Sequence, residues 1–178
     1  MIDLTKKDLP NVVWINGRPF SIYTDFRMWM RFEVEAGKLQ KGEQMDISYL
    51  FKNEMPVCCS LRDLFTFSRP ASPLPRNVGG STAILLDYEL DADYIYSAFL
   101  GQYGIDLFEV EGLHWHKFLA LLKGLKADEM LCRIMGYRAY ERSDSRKDIY
   151  EEQKRAWEIV RISPKEQREL DKFSRLFD

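Results

Sequence analysis

The chain has little of what marks a metal-centred, disulfide-bonded or membrane protein. Among its 178 residues only 3 are cysteine and 2 are histidine. Cys58 and Cys59 are adjacent and Cys132 stands alone. An odd count with a vicinal pair makes no disulfide framework and points to a reducing compartment. No apolar run approaches the roughly 20 residues that a bilayer-crossing helix needs. Residues 1–8 carry acids and lack an apolar h-region, so no signal peptide is expected there. A basic excess is missing as well: 26 Lys and Arg face 28 Asp and Glu, for a net charge of −2, which argues against a nucleic-acid partner. These absences together suggest a cytoplasmic protein with no membrane or nucleic-acid partner.

What is present is enough for a core. Apolar residues make up 46% of the chain, with 11 Phe, 9 Tyr and 4 Trp, so global disorder is excluded. The expected fold class is α+β, mostly α. Val12-Val13-Trp14-Ile15, Asn16-Gly17 and Arg18-Pro19-Phe20-Ser21-Ile22-Tyr23 read as a β-hairpin, because Asn-Gly supplies the two positive φ values of a type I′ turn. Pro19 confines its strand to an edge or a strand start. Thr24 or Asp25 then caps a helix with Phe26, Trp29 and Met30 on one face, for which Gly37 is a plausible stop. Two short helical pieces follow. Asp46 precedes Ile47, Leu50 and Phe51, and Ser60 with Asp63 forms a capping box ahead of Leu61, Leu64 and Phe65.

Between residues 68 and 82 the chain carries Pro70, Pro73 and Pro75 and then Gly79 and Gly80, which continue neither a helix nor a central strand. This stretch reads as a linker or a long surface loop. It separates residues 1–67, the hairpin and first helices, from an aromatic helical core at 83–140. In that core Asp91 opens a helix bearing Tyr96, Phe99, Leu100 and Tyr103, with Ile95 and Ala98 widening its apolar face to most sides. Trp115, Phe118, Leu119 and Leu122 form a second helix, and Asp128 is expected to cap a third with Leu131, Ile134 and Met135. Residues 141–178 are densely charged. There Ile149, Ala156, Trp157 and Val160 make a thin stripe, and Ser163-Pro164-Lys165-Glu166 opens a last helix with Leu170, Phe173, Leu176 and Phe177. All four units are compatible with one folded body. Trp14, Trp29, Phe99, Trp115 and Phe118 are expected to be substantially buried.

No catalytic, cofactor or metal site is expected. His114 and His116 flank Trp115, and on a helix residues two apart point about 200° apart, to opposite sides, so they do not share an ion. One would sit near a carboxylate and the other at the helix surface. Cys58-Cys59 lacks the Cys-x-x-Cys spacing of redox or zinc sites and reads as packing beneath the hairpin. Asp87, Glu89, Asp91 and Asp93 fail as a calcium loop, since Tyr96 stands where a glycine is needed and Gln102 where an acid is needed. Capping the helix N-terminus is their expected job. Gly79-Gly80-Ser81-Thr82 lacks the pattern of a phosphate loop, and Pro70-Ala71-Ser72-Pro73 between Arg69 and Arg76 fits a PxxP ligand only formally.

The segment from about residue 85 to 140 carries a resemblance. Asp91-Ala92-Asp93-Tyr94-Ile95-Tyr96-Ser97-Ala98-Phe99-Leu100, Tyr103-Gly104-Ile105-Asp106-Leu107, Leu113-His114-Trp115-His116-Lys117-Phe118-Leu119-Ala120-Leu121-Leu122-Lys123-Gly124-Leu125 and Ile134-Met135-Gly136-Tyr137-Arg138 occur in an order that resembles the bacteriophage Gp-fifteen family. Where members often carry a second aromatic after the Trp, this chain has His116. The resemblance implies a tail-morphogenesis role in the host cytoplasm, without catalytic residues. It points to a tail assembly chaperone that binds the tape-measure protein or a neighbouring tail protein, with homo- or hetero-oligomers open. The alternative is a tail-completion or connector protein retained in the virion. Trp157, Leu170, Phe173, Leu176 and Phe177 are the candidate partner-binding residues, because thin apolar stripes on charged helices must pack on the core, a second copy or another protein.

Overall fold

A computed structural model of the chain describes residues 2–40, 42–69, 84–140 and 149–159. The PxxP and Gly79-Gly80 segments and the last helix, with Leu170, Phe173, Leu176 and Phe177, lie outside the described residues. The hairpin forms as expected from β1 (Val12–Ile15) and β2 (Arg18–Ser21), paired antiparallel. Asn16 and Gly17 at φ 51° and 76° make the tight turn. The pairs flanking such a turn are hydrogen-bonded, so Pro19, opposite Trp14, falls at a non-hydrogen-bonded position and its missing N–H costs the ladder nothing. The pleat decides burial here. Val13 and Ile15 turn into the core, while Trp14 between them is 63% exposed, against the expectation that it is buried.

Helix α1 (Phe26–Lys38) starts where the Asp25 side chain accepts the Arg27 backbone N–H, and it buries Phe26, Trp29 and Phe32. It passes through Gly37, which is not the stop, and ends where Leu39 turns extended. Asp46 accepts the Ser48 N–H at 2.9 Å and nucleates a single 3₁₀ turn over Ser48–Leu50. The Ser60–Asp63 capping box is present and opens α2 (Leu61–Ser68). Helices α3 (Ala92–Tyr103), α4 (Trp115–Lys123), α5 (Met130–Ala139) and α6 (Ile149–Trp157) follow. Gly104, left-handed at φ 66°, closes α3. Leu100 on α3 is 43% exposed, so that helix buries one face, Ile95, Ala98 and Phe99, rather than most of its sides. The expected cap of α5 is displaced by one residue: Glu129 holds the position that Asp128 was expected to hold, and its side chain makes no capping bond.

Aromatic rings from both sides of the Pro/Gly-rich stretch meet in one core. Phe118 of α4 stacks on Phe26 of α1 at 5.0 Å between centroids, on Phe99 of α3 at 4.9 Å, and on Trp115 at 5.5 Å. Trp29 lies 4.4 Å from Phe67 of α2 and donates its indole N–H to the Tyr23 carbonyl at 2.7 Å. The chain entering α1 is also tied to the chain entering α4. The Phe26 N–H donates to the Leu113 carbonyl at 2.9 Å, and the Trp115 N–H donates to the Thr24 carbonyl at 2.7 Å. This bridge fixes α1 against α4 at their N-terminal ends. Arg27 adds a clamp, its guanidinium donating to the carbonyls of Leu107, Phe108 and Val110.

Candidate interaction surface

The two histidines are placed otherwise than the sequence suggests. Helix α4 begins at Trp115, so His114 is its N-cap and the helical 200° argument does not apply to it. The His114 Nδ1 accepts the His116 N–H at 3.0 Å, and its Nε2 faces the Pro10 carbonyl at 2.9 Å. His116 is buried, with Nε2 2.9 Å from the Phe67 carbonyl and the ring stacked on Phe67. A carbonyl only accepts, so each Nε2 carries the proton and both rings are neutral. Burial depresses both imidazoles, and His116 is pulled down to about 4. Neither ring meets a carboxylate and neither lies at the helix surface. Their nitrogens hold backbone together, and no group of three or more potential metal ligands occurs among the described residues.

The acids ahead of α3 also do a different job from the one expected. Asp91 makes no capping bond; its carboxylate is buried and takes both arms of Arg138 from α5, at 2.6 and 2.9 Å. It also accepts the Asp87 N–H, while Asp87 in turn accepts from Glu89 and Leu90 to shape the turn. Arg138 also donates to the Leu85 carbonyl at 3.0 Å and the Trp157 carbonyl at 2.7 Å. Trp157, the one candidate partner residue that is described, is half-buried with its ring edge-on to Tyr94 at 5.7 Å. Lys154 donates to the Tyr140 carbonyl at 2.6 Å. Helix α6 is therefore fastened to α5 through side chains and carbonyls, and none of its residues is buried.

At the far end of α1 the structure brings together residues that the sequence did not suggest as a site. A groove of about 740 Å³ opens between the hairpin turn, the end of α1 and the segment leading into α2. Its apolar lining comes from Leu39, Met45, Ile47, Met55, Val57 and Leu61. Met55 is 53% exposed and the Val57 side chain is wholly exposed, unusual for apolar residues that share one concavity. Cys58 and Cys59 lie in the same wall. Cys58 is exposed, which corrects its placement beneath the hairpin, and partial burial pushes the Cys59 thiol up to about 11. A thiol held that high is unreactive near neutral pH. Glu43 and Asp63 are the ionisable carboxylates of the lining, and no basic residue contributes to it among the described residues. The signal in the sequence was Met55-Pro56-Val57-Cys58-Cys59, an apolar run with no helical or strand period, standing between two capped helices.

Helices carrying one aromatic core, with a two-stranded hairpin packed on them, define a mostly helical α+β protein. The family model described as Bacteriophage Gp15 protein matches residues 35–162, and the chain belongs to that family. Compared with curated proteins and with solved structures, the chain shows no significant match. The matched span contains α2 to α6 and most of the groove lining, whereas the hairpin and the first turns of α1 precede it. No helix among the described residues is long and apolar enough to cross a membrane.

Proposed function

We propose that this phage protein is a non-enzymatic tail morphogenesis protein, an assembly chaperone that binds the tape-measure protein or a neighbouring tail protein in the host cytoplasm. The observation that carries the reading is the groove, where Met55 and Val57 hold apolar surface open to solvent beside an otherwise well-packed aromatic core. Exposed apolar side chains grouped in a concavity are what a binding protein needs and what a self-sufficient fold avoids. The commitment of both histidines to backbone carbonyls, and of Asp91 to Arg138, supports a role without catalysis, because the groups best suited to proton transfer are already used to hold the fold.

Co-expression of the full chain with the proteins of its tail gene cluster tests the reading. The tape-measure protein or a neighbour is expected to co-purify and to gain solubility, and purified virions are expected to lack the chain. Stoichiometric presence in virions would favour a tail-completion or connector protein instead. Capture of no tail protein would overturn the proposal.

A further inference from the structure

We propose that the groove at the end of α1 docks an amphipathic helix of the partner, with its apolar face on the methionines and basic residues along its edge. This rests on reading the protein as one that binds a tail protein, and it names where and how. The groove's volume, about 740 Å³, lies within the ~300–1,000 Å³ range of pockets that bury a ligand's side chains. Met45 and Met55 give it unbranched, polarisable walls that adapt to different apolar side chains, as surfaces that receive helices commonly do.

Charge selects among partners. Glu43 accepts only the Gln40 backbone N–H, and Asp63 accepts from the Ser60 N–H and hydroxyl, so neither carboxylate has a cation beside it among the described residues. A partner helix with Lys or Arg flanking its apolar stripe would pair with them, and one flanked by acids would be repelled. The hairpin contributes only Asn16, a turn residue, to the lining. No strand edge runs along the groove for an extended peptide to join, so recognition falls to side chains and favours a helix.

The probe is a fluorescein-labelled amphipathic peptide of about 18 residues built from Leu and Lys, with a Leu/Glu counterpart, titrated against the full chain by anisotropy. The Leu/Lys peptide is expected to bind at least about tenfold more tightly than the Leu/Glu one. Met55→Ser with Val57→Ser should remove that binding with an unchanged thermal midpoint, since both side chains already face solvent. Glu43→Lys, which leaves one positive and one negative charge in the lining, should abolish the preference, and Leu4→Ser, exposed and outside the groove, should change nothing. Equal affinity for the two peptides, or wild-type affinity in the double variant, would overturn the proposal. So would self-association that the double variant abolishes, which would make a second copy the occupant. An affinity gain in Phe173→Asp with Phe177→Asp would likewise overturn it, by making the chain's own C-terminal stripe the occupant. Co-purification separates the two readings. If the wild type captures a tail protein and the double variant captures it equally, the groove is wrong and the tail role stands. If the peptides behave as expected and no tail protein is captured, the groove stands and the tail role falls.

Discussion

His116 has exchanged hydration for a place in the aromatic core, and its chemistry follows from that exchange. Its Nε2 proton is spent on the Phe67 carbonyl, and Nδ1 meets no partner, so a second proton would put an unsatisfied donor and a charge where water is excluded. A histidine depressed from 6.5 to about 4 contributes stability that is complete above pH 6.5 and is lost as pH falls through the folded value. Acidification from pH 6.5 to 4 should therefore cost on the order of 3 kcal/mol through this residue. Thermal midpoints measured against pH should fall less steeply in His116→Gln, whose amide can still donate to Phe67; parallel curves would remove His116 as the cause. Two other residues mark the limits of a one-dimensional reading. Trp14 is expected to be buried, but the alternation of a four-residue strand places Val13 and Ile15 inward and leaves Trp14 outside. Trp14→Ser should change stability by less than about 1 kcal/mol. Asp91 stands at a helix start in sequence, yet its partner Arg138 is 47 residues away, a distance over which no local pattern operates.

Element by element, the local signals read well where the stabilising partner is near in sequence. The Asn-Gly turn, the Asp25 cap and the Ser60–Asp63 box all close within four residues, and all were legible. The start of α5 and the end of α1 were not, because neither uses a side-chain cap or a glycine, and both depend on where the chain goes next. The groove was illegible for a related reason: it is assembled from four separated segments, none periodic enough to announce itself. Helix α6 shows how much one distant residue can hold. Arg138 joins the buried Asp91 carboxylate to the half-buried carbonyls of Leu85 and Trp157, and Arg138→Met would leave that carboxylate buried without its cation. The expected cost is on the order of 3–5 kcal/mol. Amide exchange should quicken across residues 149–157 before it quickens in α4. Unchanged protection of α6 would show that Lys154 and the Tyr140–Tyr150 stack suffice to hold it.

For the molecule as a whole, Phe118 is the residue on which the two halves converge, stacked on rings from α1 and α3 and on its own helix neighbour Trp115. Phe118→Ala should destabilise by about 3–5 kcal/mol in chemical denaturation, with one transition before and after if the halves fold as a unit. Two separated transitions would show that they do not. The bridge between residues 24–26 and 113–115 gives this unity a direction in time. A ribosome adds residues at about 5–20 per second. For the several seconds between emergence of Phe26 and emergence of Leu113, the first helix has neither its backbone partner nor the ring that covers it. The nascent chain must therefore carry Phe26 without its stacking partner until Phe118 arrives, and the part of the core that joins α1 to α4 closes only then. During those seconds the chain itself presents an apolar helix face of the kind that folding helpers cover.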